Sequence, residues 1–472
     1  MVLGFLIRRA PFRIIGVLLF TTGAAVAVAP ARSLRFTEAR PIVAELAGRL
    51  PGDLNQLTLA QIETRWAAWI ERHDRDVRAR LEQGDEDTIV NWMLFGTSFT
   101  SRPRAVLGAV DSNAADRDVV LRRTIDLISA RLDDLLTALS APGTDERRLF
   151  TRAFLERRGL RFATAVDREV ARKYLLAAVI RVAGEQDQID QELDATSGGD
   201  PATEFVQRSR LFRTRGLSLD TSLMTNYSVE QALAAMKARG LLKPGAVRRV
   251  AIVGPGLDFA DKDVGFDIYP EQTLQPFAVL DSLKRLSLAP SPGDPEIVLL
   301  DISPRIINHV TRARAQADKN VGYTLNLPLP RSTAWLPEVR RYWQTFGDQI
   351  GPATEAPTSK AIADVAELRA IRATPSAVRR ISVLNVNIVT ERLDAEAFDL
   401  VIATNVFIYY DLFEQALAMS NVESMLRPGG FLLANVSAPN LRSVTIRPVD
   451  TTTTHYARNI LDFIVWYRAE AN

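Results

Sequence analysis

The spacing of apolar residues changes near residue 228, and this change limits the folds open to the chain more than any other feature. Before residue 228, apolar residues recur at intervals of three and four, the spacing of one face of an amphipathic helix. After it, short apolar runs alternate with helical stretches, as in α/β domains with a largely parallel sheet. Since 472 residues exceed one ordinary core, we expect an all-helical domain over 32–227 and an α/β domain over 228–472.

The helical half carries no pattern that points to chemistry. Thr58 is placed to cap a helix whose apolar stripe includes Ile62, Trp66 and Trp69. Stripes of this kind usually form a hydrophobic core, so we assign no cofactor or catalytic role to them. His73 lies within the charged run 72–76, where we expect it to be solvated.

The first 31 residues have the pattern of a signal peptide or a membrane anchor. Three arginines precede an uncharged apolar run over 14–29, and small residues follow it. As a helix this run would be ~24 Å long, short of the ~30 Å hydrocarbon core. Cleavage before Arg32 is therefore favoured over a stable anchor, although membrane association through 14–29 stays open.

Composition excludes several classes of site. Cysteine is absent, so disulfides, thiolate metal sites and cysteine nucleophiles are excluded, and three scattered histidines do not predict a metal centre. Lys plus Arg is 58 and Asp plus Glu is 56, a net charge of +2. This near balance gives no electrostatic footprint for nucleic acid, and we expect no nucleic-acid partner.

The α/β half predicts a sheet with its ligand site at one edge. We expect a helix over 361–372 and an antiparallel edge strand over 462–468, after strands over 250–253, 297–300, 381–386, 400–403 and 431–435. Gly254 and Gly256 follow the first strand, where glycines let a ligand approach the backbone closely. Asp301 ends the second strand, where a carboxylate can bind ribose hydroxyls or, alternatively, cap the helix that starts near Pro304. A nicotinamide-dinucleotide motif is disfavoured, because Phe259 replaces its third glycine.

The third and fourth strands also end in polar residues. Asn387 and Ile388 could bind an adenine through an amide and an apolar wall, or Asn387 could be a turn residue. The fourth strand opens into the polar and aromatic segment Thr404-Asn405-Val-Phe-Ile-Tyr409-Tyr410-Asp411. The turn Leu426-Arg-Pro-Gly-Gly430 then leads into the fifth strand.

In this order, these motifs resemble those of class I S-adenosylmethionine-dependent methyltransferases, which have a seven-stranded Rossmann-like fold. The resemblance covers 228–472, and the segment 405–411 is further similar to chemotaxis-receptor glutamate methyltransferases, which also carry a preceding helical domain. It implies S-adenosylmethionine as cofactor. By this resemblance Gly254 and Gly256 flank its methionine part, Asp301 holds its ribose, Asn387 and Ile388 hold its adenine, and Thr404 and Asn405 lie near the transferred methyl.

Tyr409, Tyr410 and Asp411, in the polar and aromatic segment after the fourth strand, are the residues that we expect to position the methyl acceptor. Asp258 departs from the family pattern, because many members have a third glycine there, and its carboxylate could instead meet the cofactor's ammonium.

Two insertions extend the α/β half. The first, 257–276, must emerge at the ligand edge, where Tyr269, Gln272 and Gln275 could orient a substrate or could be purely structural. Its four aspartates lack the spacing of a calcium loop, so we expect no metal. The second, 322–351, carries Trp335, Tyr342 and Trp343 and is expected to close another side of the pocket.

The sequence therefore predicts methyl transfer to an oxygen, nitrogen or carboxylate on an unknown small molecule or protein. The alternative is a catalytically inactive methyltransferase-fold binding protein at the cell envelope, since export would separate the protein from a cytosolic cofactor. The leading segment thus favours export or anchoring while the cofactor favours the cytoplasm, and the two indications conflict.

Overall fold

The computed structural model describes residues 30–105, 114–196, 216–219, 223–259, 267–357, 363–394, 398–437 and 441–469. The predicted signal peptide or anchor, with its apolar run 14–29, lies outside these residues. Within the described ranges, no helix is long and apolar enough to cross a membrane.

Helices dominate the described residues before residue 228. They are α1 (Phe36–Glu45), α2 (Leu59–Phe95), α3 (Ala114–Ser140), α4 (Glu146–Arg157) and α5 (Ala165–Thr196). The predicted cap of α2 is confirmed, because Thr58 Oγ1 accepts a hydrogen bond from the Gln61 backbone N–H. The later helices are α6 (Leu223–Ala238), α7 (Gln275–Arg285), α8 (Pro304–Asp318), α9 (Pro337–Thr345), α10 (Pro375–Arg379) and α11 (Leu412–Met425).

A seven-stranded mixed sheet forms the centre of the α/β half, as predicted. Its strands are β2 (Arg249–Val253), β3 (Glu296–Asp301), β7 (Ile381–Asn385), β9 (Phe398–Ala403), β10 (Leu426–Ala434), β11 (Arg447–Ala457) and β12 (Ile460–Arg468). Their order across the sheet is β11-β12-β10-β9-β2-β3-β7. The five strands from β10 to β7 are mutually parallel, so their carboxyl ends share one edge.

The last strand is antiparallel as predicted, but its position at the edge is wrong. β12 lies between β10 and β11 and is antiparallel to both. The outer strand β11 was missed because its threonine run, 451–454, lacks the apolar alternation that marks a half-buried strand. Threonine is β-branched and suits a strand at an exposed edge.

A second sheet replaces the helix predicted over 361–372. There, β6 (Ala366–Ala373) pairs antiparallel with β4 (Tyr323–Pro330) and with the short β5 (Ala353–Thr354). The residues of β6 favour helices intrinsically, but pairing with β4 places Ala370 and Ile371 in the hydrophobic core. Tertiary packing thus overrides local propensity here.

The aromatic residues of the second insertion belong to this core. Tyr342 and Trp343 are buried, and Trp343 Nε1 donates to the Leu327 carbonyl at 2.9 Å. Trp335 packs against the same cluster and donates to the Pro330 carbonyl. None of the three lines the cavity at the sheet edge, so the expectation that they close it is wrong.

The N-terminal region packs directly on the α/β half. Its strand β1 (Ala31–Ser33) pairs with β8 (Glu391–Leu393), and Trp69 packs edge-on against Phe413 of α11. His73 is buried rather than solvated, because α11 covers it and its Nε2 lies 2.9 Å from Glu414 Oε1. The domain division at residue 228 stays a prediction, and these contacts cross it.

Candidate functional site

A cavity of about 370 Å³ opens at the carboxyl ends of the parallel strands. Residues that follow β2, β3, β7 and β9 line it. The strand order reverses between β2 and β9, because β3 continues the sheet on one side and β10 on the other. Open α/β sheets bind their ligands at such a switch point, and the volume suits a small organic molecule.

The glycine turn after β2 forms the floor of the cavity. Gly254 and Gly256 have φ angles of 61° and 78°, in the left-handed region that favours glycine. A Cβ atom on Gly254 would lie only 2.8 Å from Cγ2 of Val406, which belongs to the loop after β9. The absence of a side chain at Gly254 thus lets Val406 pack on the turn, and both glycines line the cavity with backbone alone, as predicted from the sequence.

Asp301 ends β3 and lines the cavity beside the glycine turn. The residue is 6% exposed, and its Oδ1 accepts a hydrogen bond of 2.7 Å from the Ser303 backbone N–H. Burial raises the pKa of this carboxyl to about 7, although backbone hydrogen bonds act against the shift. It does not cap α8, whose N-cap residue is Ser303. A buried carboxylate with so few donors can accept hydroxyl groups from a ligand.

The two residues predicted to hold an adenine are separated by the structure. Ile388 lines the cavity together with Val386, but Asn387 does not. The Asn387 amide donates to Asp74 Oδ1 of α2 at 3.2 Å and accepts from the Val389 N–H. Its contacts therefore fit the alternative interpretation, a residue that holds the turn.

Thr404 and Asn405 follow β9, and both line the cavity. Thr404 Oγ1 accepts a hydrogen bond of 2.8 Å from Gln275 Nε2, so one predicted substrate residue joins the predicted cofactor residues. Asn405 has a φ of 59°, which is uncommon for a residue other than glycine.

In the aromatic segment after β9, two of the three predicted residues line the cavity and the third does not. Tyr409 and Tyr410 line the cavity, whereas Asp411 is the N-cap of α11 and accepts from the Glu414 N–H at 2.9 Å. Burial raises the pKa of the Tyr410 phenol well above its ordinary value, so the hydroxyl stays protonated at neutral pH.

Three predicted residues of the first insertion form a separate buried cluster. Tyr269 Oη and Gln272 Nε2 each donate to Asp258 Oδ2 at 3.0 Å, and Gln272 also bonds to the backbone of Asn326 in β4. Asp258, Tyr269 and Gln272 do not line the cavity. Their predicted cofactor and substrate roles stay untested, but their observed contacts hold the insertion against the second sheet.

The insertion is also attached to the helical region through Asp267. Its carboxylate accepts from Trp92 Nε1 and from the backbone and hydroxyl groups of Thr97 and Ser98, at 2.7–3.0 Å. Arg147 donates to the carbonyls of Asp267 and Tyr269. Asp267 thereby fixes the insertion between the α/β half and the loop after α2.

The roof of the cavity comes from residues that the sequence did not indicate. Leu81 of α2, the segment 217–219 and Thr225 and Asn226 of α6 all line it. The segment is tied to α2, because the Leu217 N–H donates to the Arg80 carbonyl at 2.9 Å. A Cβ on Gly84 would lie 1.9 Å from the Leu217 oxygen, so this glycine permits the close approach. A glycine within a helical pattern was the one available signal.

Among the described residues, no group of three acidic or histidine side chains could hold a metal ion. The chain matches no family model and no curated protein. Among solved structures it is similar to the N-methyltransferase NodS from Bradyrhizobium japonicum WM9 in complex with S-adenosyl-L-homocysteine. The identity is 14%, with 60% of this chain and 98% of that chain covered and a TM-score of 0.25.

Two further solved structures are similar at the same level. The glycopeptide N-methyltransferase MtfA is 9% identical over 52% of this chain and 95% of its own, with a TM-score of 0.26. A TehB-like SAM-dependent methyltransferase from Corynebacterium glutamicum is 8% identical over 53% of this chain and 100% of its own, with a TM-score of 0.23.

Proposed function

We propose that the protein is an S-adenosylmethionine-dependent methyltransferase that acts on an oxygen, nitrogen or carboxylate acceptor. One observation carries this proposal. The glycine turn, Asp301, Ile388 and the pair Thr404 and Asn405 come from four different strand ends, yet they line one cavity at the switch point of a seven-stranded sheet. These are the residues whose order along the chain resembles that of class I methyltransferases.

The lining fits the proposed cofactor in three respects. The backbone at Gly254 and Gly256 can lie against the methionine part, since both glycines line the cavity and carry no side chain. Asp301 offers carboxylate oxygens for the ribose, and Val386 and Ile388 offer an apolar wall for the adenine. Asp258 lies outside the lining, so its suggested contact with the ammonium group has no support in the geometry.

When bound, the cofactor supplies a methyl group that its sulfonium already activates. The protein's own residues then need to align the acceptor and to exclude water. Tyr409 and Tyr410 line the cavity from the loop after β9, where the protonated Tyr410 hydroxyl can donate to an acceptor. The roof residues Leu81, Leu217 and Leu219 add apolar surface to the lining, which limits the access of water.

Thermal unfolding with and without S-adenosylmethionine tests the cofactor assignment. At a hundredfold excess over the dissociation constant, we expect ~2.7 kcal/mol of added stability. The variant Asp301→Ala should lose most of this gain, while Asp318→Ala, at an exposed position on α8, should keep it. An equal gain in wild type and Asp301→Ala, or no gain in either, would contradict the assignment.

Methyl incorporation separates the enzyme from the alternative. Wild-type protein and labelled S-adenosylmethionine are incubated with cell extract, and we expect label in a product. Cofactor binding without incorporation would instead favour the catalytically inactive binding protein.

A further inference from the structure

Asn405 is held in an unusual conformation at the cavity wall. It is a residue other than glycine with a φ of 59°, and only Thr404 separates it from the end of the buried strand β9. Backbone conformations of this kind persist where surrounding contacts determine them, and they are common at functional sites. The contacts that determine this one come from the neighbouring strand.

Asn435 supplies these contacts from the end of β10. In the parallel register Ala403 lies opposite Ala434, so Asn435 emerges beside the turn at Asn405. The Asn405 backbone N–H donates to Asn435 Oδ1 at 2.8 Å, and Asn435 Nδ2 donates to Asn405 Oδ1 at 2.5 Å. The two residues thus form a closed reciprocal pair.

The pair fixes the direction of both side-chain amides. A backbone N–H can only donate, so the atom of Asn435 that faces it must be Oδ1. The other end of that amide is then Nδ2, and the atom of Asn405 facing it must be an oxygen. Asn405 Nδ2 is left as a hydrogen-bond donor, and the contacts of the described residues give it no partner.

We infer that Asn435 is a positioning residue that presents the Asn405 amide N–H₂ to the molecule receiving the methyl group. This inference rests on the proposed function. Because an amide N–H₂ can only donate, it binds a lone pair, so the acceptor molecule carries an oxygen or an unprotonated nitrogen with a free lone pair at this point.

The test combines three variants of the full-length protein. Asn435→Asp keeps the acceptor for the Asn405 N–H but removes the donor to Asn405 Oδ1. Asn405→Gly keeps the left-handed turn without strain but removes the amide. Asn459→Asp makes the same chemical change as the first variant at an exposed turn between β11 and β12 and is the matched control.

Methyl transfer and cofactor affinity are measured for each variant. Misplacing or deleting the amide should lower transfer into extract on the order of 10²-fold in Asn435→Asp and Asn405→Gly. The cofactor dissociation constant should stay within about threefold of wild type in both, well under a 1.4 kcal/mol change. Normal transfer by Asn405→Gly would overturn the inference, because Asn435 would then only support the turn. A parallel loss of cofactor affinity would also overturn it, by placing the amide at the cofactor.

Exchange of side-chain amide protons with solvent is measured by NMR after ¹⁵N-asparagine labelling. It tests whether Asn435 holds the Asn405 side chain, and it does not require methyl transfer. One Nδ2 proton of Asn435 should exchange about tenfold more slowly than those of Asn459, as expected for a maintained hydrogen bond. This protection should disappear in Asn405→Gly. Equal exchange rates at Asn435 and Asn459 would overturn the claim. Intact protection in a wild-type protein that binds no cofactor would uphold the pair while refuting the proposed function.

Discussion

Two buried aspartates, Asp301 at the cavity and Asp267 in the first insertion, have opposite electrostatic environments. In both carboxyls burial acts to raise the pKa, and hydrogen bonds from the protein act to lower it. At Asp301 few hydrogen bonds oppose it, and the pKa rises to about 7. At Asp267 the donors from Ser98, Thr97 and Trp92 together outweigh burial and leave the pKa below its ordinary value. A buried carboxylate saturated with protein donors has a structural role, whereas one left with few donors can receive a ligand.

The largest effect is expected from removing the Asp267 carboxylate, which accepts hydrogen bonds from several protein donors. Asp267→Asn turns an amide N–H₂ toward donors that had faced an oxygen, and it leaves buried N–H groups unpaired. We expect it to lower the free energy of unfolding by about 3–5 kcal/mol. Chemical denaturation of the variant and of Asp318→Asn, an exposed control, measures the difference.

The pH dependence identifies the cause of this loss. The native pKa of Asp267 is below 3.8, its ordinary value, so its stabilisation is present above pH 3.8 and disappears as the pH falls through the native pKa. The difference in unfolding free energy between wild type and Asp267→Asn should therefore become smaller in acid. A gap that is constant down to pH 2 would assign the loss to packing.

Asp301→Asn should act in the opposite direction. Because the native pKa of about 7 exceeds the ordinary 3.8, the native state retains a proton that the unfolded state releases. The contribution of Asp301 to wild-type stability without ligand then decreases as the pH rises from about 4 to 7, by about 1.4 kcal/mol for each pH unit. The asparagine variant lacks this contribution and keeps those of the other buried carboxyls, Asp85, Glu230 and Asp281, whose pKa values burial also raises. Its unfolding midpoint should therefore exceed that of wild type above pH 7 and match it near pH 4. A wild-type midpoint that follows the variant's over this range would contradict the raised pKa.

Gly84 and Gly184 are a second matched pair of residues, and they test how the roof of the cavity is held. Both are helical, but a Cβ on Gly84 would meet the Leu217 backbone, whereas a Cβ on Gly184 would meet nothing within 4 Å. Gly84→Ala should cost about 1–3 kcal/mol and displace the segment 217–219, which weakens cofactor binding. Gly184→Ala should instead stabilise by roughly 0.5–1 kcal/mol. Thermal unfolding and calorimetric titration measure both effects, and equal behaviour of the two variants would show that the roof is not held by this contact.

Sequence patterns predicted the sheet edge far better than its surroundings. The buried strands β2, β3 and β9 are continuous apolar runs, so their ends, and hence Gly254, Asp301 and Thr404, could be placed from the sequence. The roof could not, because Leu81 and Leu217 reach the cavity only through packing between distant segments. Asn387 and Asp411 lie in the loops that follow β7 and β9, but hydrogen bonds to Asp74 of α2 and from the Glu414 N–H engage their side chains. The position of a residue after a strand predicts that it lies at the edge of the sheet. Whether its side chain can contact a ligand there depends on the protein donors and acceptors around it.

The smallest predicted effect distinguishes Tyr269 from Tyr409, which were both predicted from the sequence to orient the molecule that receives the methyl group. Tyr269→Phe removes one hydrogen bond to Asp258, so it should cost about 1 kcal/mol of unfolding free energy and leave methyl transfer unchanged. Tyr409→Phe removes a hydroxyl that lines the cavity and accepts from the Ser218 N–H at 3.4 Å, so it should lower transfer and cost no more than about 1 kcal/mol of unfolding free energy. Denaturation and extract labelling on the same preparations compare them. If Tyr269→Phe lowered transfer at unchanged stability, the insertion would contact the acceptor directly, and the separation between its buried cluster and the cavity would not hold in the working protein.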